Sequence, residues 1–146
     1  MVSWKMGSSE STLGVDVALL LLRCHQLEKE LAGSAGLSVD EFHCLSQLYL
    51  HAPCCVKTLC ELLEVHPTRA SRLLNDLESK GYLTRTLGFA DKRKELLTLT
   101  PAGVSAARDL VQATAFSVRQ RVGDVPDNTI RLVADSLAHD ESHVSQ

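Results

Sequence analysis

A pair of short amphipathic segments separated by a tight turn constrains the fold of this chain more than any other feature. In both segments apolar residues recur at i, i+3, i+4 and i+7, the spacing of a helix with one buried side. These residues are Val56, Leu59, Cys60 and Leu63, followed after His66-Pro67 by Ala70, Leu73, Leu74 and Leu77. Pro67 suits the first position of a helix, and Gly81 suits the left-handed position just past its end. Two short helices joined by a turn are therefore predicted.

A hairpin is predicted directly after the second helix. Residues 82–87 and 95–99 are short segments rich in Leu and Thr, and residues 88–94 between them are polar and basic at their tip. Two strands with a charged hairpin are the natural interpretation, although Leu is not a strong strand former. Helix, turn, helix and hairpin make a winged helix-turn-helix. The predicted fold class is therefore mainly α, with a two-stranded β wing.

Further amphipathic segments surround this unit. One helix is predicted over residues 13–32, and a capping box formed by Ser38 and Glu41 begins another that ends before Pro53. Thr100-Pro101 opens a long helix, and a last helix follows Pro126 within residues 101–138. We expect mobile tails at residues 1–12 and 139–146. A single domain over residues 13–137 is predicted, with the winged helix-turn-helix at about 38–100.

Composition excludes several classes of protein. The chain has 146 residues and is 45% hydrophobic, enough for a core without disulfides or a structural metal. Its longest apolar run, which Asp16 interrupts, is too short to cross a bilayer, and its first residues lack the apolar region of a signal peptide. Five cysteines are an odd number, which argues against a disulfide framework. We expect reduced thiols in a cytoplasmic protein that makes no membrane contact.

Positive charge is concentrated in the predicted helix pair and hairpin. The net charge is −3, yet residues 66–94 hold seven Lys or Arg residues against three Asp or Glu residues. The second helix of such a unit lies in the major groove of DNA. The side opposite its apolar residues displays groups suited to base edges and phosphates, namely Thr68, Arg69, Ser71, Arg72 and Asn75. A solvated charged face is the alternative, but the capped ends, the turn and the basic hairpin together favour DNA binding.

The motifs of this region closely resemble those of the MarR (multiple-antibiotic-resistance regulator) family. The stretch from Leu73 to Arg85 resembles the end of that family's recognition helix and its first wing strand. The stretch from Asp91 to Gly103 resembles its wing signature, an aspartate with following basic residues and then Leu-Thr-x-x-Gly. The resemblance spans roughly residues 13–137. Where the family commonly has two arginines after the aspartate, this chain has Lys92 and then Arg93.

The resemblance implies a homodimer built from the helices at about 13–32 and 101–138. Each recognition helix would enter a successive major groove of a pseudo-palindromic operator in double-stranded DNA. Lys92 and Arg93 would contact DNA from the wing. Asp91 would brace the wing through an arginine of the recognition helix, for which Arg72 is the candidate, although a plain surface aspartate is the alternative. The residues agree with a dimer, since the amphipathic helices outside the winged unit need a partner for their apolar stripes.

Cys54 and Cys55 are the candidate sensor residues. They are predicted to sit in a short loop immediately before a helix N-terminus, where the helix dipole and nearby Lys57 favour the thiolate. Two incidental loop thiols are the alternative. Cys24 and Cys60 lie on the apolar sides of predicted helices and are expected in the core.

No metal site, cofactor or catalytic residue is predicted. A zinc site would recruit His51, Cys54 and Cys55 with Cys60 or His66, but their spacing fits no zinc template. A soft ion such as Cu(I), or arsenite, is the ligand that these thiols would suit better. The sequence contains no phosphate-binding glycine loop, nucleophile elbow or Cys-x-x-Cys motif.

These observations predict a DNA-binding transcriptional regulator rather than an enzyme. We expect a repressor that is released by an unknown small-molecule, redox or thiol-reactive signal, and an aromatic ligand bound between dimer helices is one such effector. A winged-helix module that docks protein is the first alternative, and it would tend to replace Arg69, Arg72 and Arg93 with apolar anchors. A thiol-based redox enzyme, which rests only on Cys54 and Cys55, is the remote alternative.

Overall fold

A computed structural model describes residues 8–87 and 94–138. Within them the helices are α1 (Ser8–Ser34), α2 (Val39–His51), α3 (Val56–Leu63), α4 (Pro67–Ser79), α5 (Pro101–Val122) and α6 (Asp127–Leu137), and the strands are β1 (Cys54–Cys55), β2 (Leu83–Leu87) and β3 (Glu95–Leu99). The predicted mainly α, winged helix-turn-helix fold is confirmed. The elements group into two compact units, one within Met1–Ala113 and one within Thr114–Gln146. The single domain over residues 13–137 stays a prediction.

α3 and α4 form the predicted helix-turn-helix. α3 ends at Leu63, and the next residue, Glu64, caps it in a left-handed conformation with φ of 53°. The imidazole of His66 caps α4 by accepting the backbone N–H of Thr68 at 3.3 Å, and Pro67 occupies the first helical position. An N-cap and a proline together therefore fix where α4 begins.

The sheet contains one strand more than predicted. β2 and β3 pair antiparallel, with Arg85 opposite Leu97, as the hairpin pattern predicts. β1 adds to the other edge of β3, with Cys54 opposite Leu97 and Cys55 opposite Leu96. The prediction of a loop at Cys54 and Cys55 is wrong, because a two-residue strand shows no alternation and its partner is distant in sequence. Residues 88–93 of the predicted wing tip lie outside the described residues.

The core of the first unit packs α2, α3 and α4 together with the sheet. Its fully buried large side chains are Leu45, Leu48, Leu59, Leu74, Leu77, Leu83, Leu97 and Cys44. Each leucine contributes about 1.5–3 kcal/mol by leaving water. These contacts anchor the inner side of α4 and leave its outer side facing solvent.

An ion pair between the exposed Lys80 and the buried Glu41 joins the end of α4 to the start of α2. The capping box is confirmed, because Ser38 accepts the N–H of Glu41 at 3.1 Å and the Glu41 carboxylate accepts the N–H of Ser38 at 3.0 Å. The same carboxylate is buried and accepts a hydrogen bond from Lys80 Nζ at 2.6 Å. Lys80 also donates to the carbonyl of Gly36 at 3.1 Å. A buried carboxylate requires such partners, so Lys80 holds the two helix ends together.

The start of α5 packs closely against Tyr82, the residue just before β2. Thr100 caps α5 as predicted, with its hydroxyl accepting the N–H of Gly103 at 3.0 Å and its own N–H donating to the carbonyl of Tyr82 at 3.1 Å. A Cβ on Gly103 would lie 2.0 Å from that Tyr82 oxygen. The glycine of the Leu-Thr-x-x-Gly signature is therefore required by close backbone approach.

α1 differs from its prediction in two ways. It begins at Ser8, so residues 8–12, which were predicted to belong to a mobile tail, are helical. Extending an existing helix costs little, and Glu10 suits its first turn. Cys24, which was predicted in the core, is exposed. The apolar residues of α1 from Leu13 to Leu22 are likewise 41–66% exposed, so this part of α1 packs against no core within the described chain. Cys60 is half-buried rather than fully buried.

The second unit comprises the end of α5 and α6. Arg119 forms an ion pair with Asp127 and donates to the carbonyl of Val125 at 3.2 Å, which closes the turn between the helices. The apolar residues of α6 are exposed, and they are Ile130, Leu132, Val133 and Leu137. None of the described helices is both long and apolar enough to cross a membrane. The predicted tail at residues 139–146 lies outside the described residues.

Candidate nucleic-acid interface

The outer face of α4 is the candidate DNA-reading surface. Its inner side is buried through Ala70, Leu73, Leu74 and Leu77. The predicted contact residues Thr68, Arg69, Ser71, Arg72 and Asn75 are all exposed. The structure therefore brings these five side chains together on one side of one helix, as the helical spacing predicts.

The two arginines of this face have different surroundings. The Arg69 guanidinium pairs with the Asp40 carboxylate of α2, which offsets its charge. In the part of the chain that the structure describes, Arg72 forms neither an ion pair nor a hydrogen bond. The described residues therefore leave the Arg72 donors open to an external acceptor such as guanine or phosphate, or to the predicted contact with Asp91.

The first turn of α4 is organised by its cap. Besides accepting the N–H of Thr68, His66 Nδ1 lies 3.2 Å from the Thr68 hydroxyl. The sequence predicted only a break at His66-Pro67, and the capping role of His66 was missed because histidine is not among the strongly preferred N-cap residues. The cap holds the Thr68 hydroxyl at the helix N-terminus, where phosphate oxygens are favoured.

Arg85 of β2 braces the wing against α4, a role that the sequence did not reveal. Its Nε donates to Glu78 Oε2 at 3.1 Å and its Nη2 donates to Asn75 Oδ1 at 2.6 Å. Its Nη1 also lies 3.7 Å from Glu95 Oε2 on β3, and the Arg85 side chain is only 20% exposed. One arginine thus links the recognition helix to both wing strands. In the sequence, Glu78 and Arg85 are seven residues apart with a turn between them. Helical or strand periodicity therefore could not predict their contact.

Two threonine hydroxyls contact each other across the wing strands. The Thr84 and Thr98 hydroxyls lie 2.9 Å apart on opposite strands of the hairpin. The predicted contact residues Lys92 and Arg93, and the predicted bracing residue Asp91, lie outside the described residues. Bracing of the wing by Asp91 through Arg72 therefore stays a prediction.

The two neighbouring cysteines occupy opposite environments. Cys54 is buried, and burial together with the adjacent Cys55 thiol raises the pKa of its thiol. Cys55 is half-buried and its Sγ lies 3.2 Å from the Thr58 hydroxyl. Hydrogen bonds from the side chain and the backbone of Thr58 lower the pKa of Cys55, and the backbone N–H of Lys57 adds to this. The expectation that both thiols favour the thiolate is therefore wrong for Cys54.

Neither the buried Cys44 thiol nor a metal-ligand cluster provides a further candidate site among the described residues. Burial raises the pKa of the Cys44 thiol to about 12, so Cys44 behaves as a small apolar residue. Within residues 8–87 and 94–138, no three His, Cys, Asp or Glu side chains are grouped as a metal ion would need.

The sequence segment that carries this interface is similar to a known protein family. Residues 35–94, which hold α2 to α4 and β2, match the profile of the MarR family. A 65-residue segment is 28% identical to the uncharacterized HTH-type transcriptional regulator YwhA of Bacillus subtilis (strain 168). That match covers 44% of this chain and 47% of YwhA, so the chain spans about half the length of this curated relative.

Solved structures share the fold over nearly the whole chain. The structure of AbsC, a MarR family transcriptional regulator from Streptomyces coelicolor, superposes with a TM-score of 0.74 at 20% identity, covering 94% of both chains. CouR from Rhodococcus jostii RHA1, bound to p-coumaroyl-CoA, superposes with a TM-score of 0.72 at 22% identity, covering 86% of this chain and 91% of CouR. At these identities the likeness concerns the fold.

Proposed function

We propose that this chain is a winged-helix transcriptional regulator of the MarR family and that it binds double-stranded DNA by placing α4 in the major groove. The observation that carries the proposal is the outer face of α4, which is polar, exposed and backed by a fully buried apolar side. Arg72 and Asn75 would read base edges, whereas Thr68 and Ser71 would contact phosphates. The curated relative that this chain resembles is described as a transcriptional regulator.

The wing extends this contact in the proposal. Lys92 and Arg93, at the basic tip between β2 and β3, would enter the adjacent minor groove, where a narrow groove concentrates negative potential. Asp91 would brace the tip. The bracing of β2 against α4 by Arg85 supports the proposal, since it fixes the wing strands relative to the reading helix.

A homodimer is part of the proposal. The apolar residues of α1 from Leu13 to Leu22, and those of α6, are exposed in the protomer. Exposed apolar residues on each of these helices mark a candidate association surface. A dimer would bury these residues and present two α4 helices to a pseudo-palindromic operator.

Selection of bound sequences from random duplex DNA tests the proposal. We expect enrichment of a pseudo-palindrome whose half-sites are roughly 10 base pairs apart, because two recognition helices must enter one side of the duplex. Affinity should fall as salt rises, since phosphate contacts release counterions. Recovery of a single half-site would contradict the dimer, and recovery of no sequence would contradict DNA reading altogether.

A protein-docking winged helix is the competing function, and the residues of α4 argue against it. A docking surface is expected to carry apolar or aromatic anchors at its centre. The outer face of α4 instead carries Arg69, Arg72 and Asn75 with two hydroxyl residues. The described face is therefore better suited to an anionic partner than to a protein groove.

We further propose that the regulator is a repressor released by a thiol-reactive signal at Cys55. The Cys55 thiolate would attack a peroxide, forming an S–O bond as the O–O bond breaks, and the leaving hydroxide would take up a proton to become water. Cys55 pairs with Leu96 of β3 and directly precedes α3. A larger or charged group at this position would disturb both the sheet that carries the wing and the first helix of the helix-turn-helix.

A small-molecule effector is the alternative to the thiol signal. CouR, which shares the fold, is seen with p-coumaroyl-CoA bound. In this chain a groove in the first unit is lined by Leu31, Ala35, Ala106 and Leu110 with the carboxylate of Asp109. Release of the operator by a ligand with Cys55 replaced would favour this alternative.

A further inference from the structure

The hydrogen bond between Arg85 and Asn75 determines which way the Asn75 amide points. A guanidinium carries only donors, so the Asn75 atom that lies 2.6 Å from Arg85 Nη2 must be the carbonyl oxygen Oδ1. The donor is charged and the distance is short, which makes this a strong hydrogen bond. The Asn75 NH2 group is therefore held on the other side of the amide.

Arg85 itself has little freedom to release this contact. Glu78 on α4 and Glu95 on β3 lie 3.1 Å and 3.7 Å from its guanidinium, and the Arg85 side chain is only 20% exposed. The two carboxylates offset the positive charge of Arg85. DNA phosphates therefore attract its guanidinium less strongly, and the bond to Asn75 is retained. Asn75, in contrast, is exposed on the outer face of α4.

We propose, on the premise that α4 reads the major groove as above, that Arg85 is a positioning residue that makes Asn75 a hydrogen-bond donor toward DNA. A free asparagine pairs best with adenine, because its oxygen accepts from the adenine amine while its NH2 donates to N7. Here an adenine amine would have to share the Asn75 oxygen with a cationic donor. Base edges that only accept, guanine O6 and N7 or thymine O4, match the remaining NH2 group better.

The test compares base preferences of the full chain and of variants by selection from random duplexes, followed by binding to single-base operator variants. Asn75→Ala identifies the base position that Asn75 reads. At that position we expect wild type to prefer guanine or thymine over adenine. Arg85→Met should allow the amide to turn and lower this discrimination by roughly 2- to 10-fold, the value of one net hydrogen bond.

Two controls separate positioning from general damage to the wing. Thr98→Val removes the 2.9 Å contact between the Thr84 and Thr98 hydroxyls across the wing strands but involves none of the Arg85 contacts, so it should keep the base preference. The preference at the position read by Arg72 should stay unchanged in all these variants. If Arg85→Met does not fold, Arg85→Gln, whose shorter amide leaves Asn75 without a cationic donor, should show the same loss of discrimination.

Several results would overturn the inference without touching the proposed function. These are a wild-type preference for adenine at the Asn75 position, unchanged discrimination in the Arg85 variants, and a selected operator in which Asn75→Ala alters no position. Failure of wild type to select any sequence would instead contradict the proposed DNA binding itself.

Discussion

At the scale of single residues, Arg69 and Arg72 show that solvent exposure alone does not tell which side chain is available to contact DNA. Both are exposed on the same face of α4, and their sequence context is similar. Only the structure shows that Asp40 from α2 pairs with Arg69. Helical spacing predicted the face, but it could not predict a contact between residues so distant in sequence.

The two arginines should therefore contribute unequally to DNA binding. Arg72→Ala should cost about 1–3 kcal/mol on the selected operator if it makes a bidentate base contact, and should relax preference at one base step. Arg69→Ala should cost less, because its ion pair with Asp40 must be given up before it contacts DNA. Fluorescence anisotropy titrations with matched and mismatched duplexes at fixed salt measure both. Equal losses for the two variants would show that the pairing with Asp40 does not persist on DNA.

Cys55 should react before Cys54. Its lowered pKa places the thiolate at lower pH than in an ordinary cysteine, whereas burial and the raised pKa protect Cys54. Alkylation at Cys55 should therefore be faster than at Cys54 at neutral pH and should rise with pH, with its midpoint below that of an ordinary cysteine. Peptide mapping by mass spectrometry after brief labelling measures each site.

Release of the operator DNA tests whether modification of Cys55 lowers the affinity for DNA. Cys55→Ser should abolish release by peroxide, a quinone and arsenite while basal DNA binding persists. Cys54→Ser should retain release by peroxide and by the quinone, and should lose the arsenite response, because arsenite needs a second thiol for stable binding. The double variant Cys54→Ser, Cys55→Ser should behave like Cys55→Ser alone. Release of the double variant by all three reagents would reject the thiol switch and leave both cysteines incidental.

At the scale of secondary-structure elements, helix ends were predictable because their signals are local. The capping box of α2, Pro67 at the start of α4 and the Thr100 cap of α5 each act within four residues. β1 was missed because its hydrogen bonds join Cys54 and Cys55 to β3, about forty positions later in the chain. The pairing of Lys80 with Glu41 escaped prediction for the same reason.

The junction between the turn before β2 and α5 should be sensitive to one methyl group. Gly103→Ala would place a Cβ 2.0 Å from the Tyr82 carbonyl oxygen, so backbone must shift, at a cost of roughly 1–3 kcal/mol. Gly14→Ala is the matched control, because nothing lies within 4 Å of its Cβ position in α1. It should be neutral or stabilise by up to about 1 kcal/mol. Urea denaturation compares the free energies of unfolding, and equal values would refute the close approach.

At the scale of the whole molecule, the distribution of apolar surface was only partly predictable. The amphipathic stripe of α1 was predicted, but Cys24 was assigned to a core that the protomer does not supply. Periodicity shows that a face needs a partner, and it cannot show whether that partner is the same chain or a second copy. Whether a second copy covers the exposed residues of α1 and α6 is therefore a question for the oligomeric state.

α6 should therefore be needed for dimerisation. A chain truncated before Pro126 loses the exposed residues Ile130, Val133 and Leu137, so we expect weaker dimerisation and weaker DNA binding together. Val133→Asp tests the same stripe without truncation, because a charge at a buried interface is unfavourable unless it is paired. Asn128→Asp is the matched control, since helical periodicity places Asn128 opposite Ile130.

Sedimentation velocity at micromolar concentration distinguishes the outcomes of this comparison. We expect wild type and Asn128→Asp to sediment as dimers and Val133→Asp to shift toward the monomer. DNA affinity should fall in parallel, since a monomer engages one half-site and loses the second recognition helix. A truncated chain that stays dimeric and retains operator affinity would place the association surface on α1 alone, where Leu13 to Leu22 offer the larger exposed stripe.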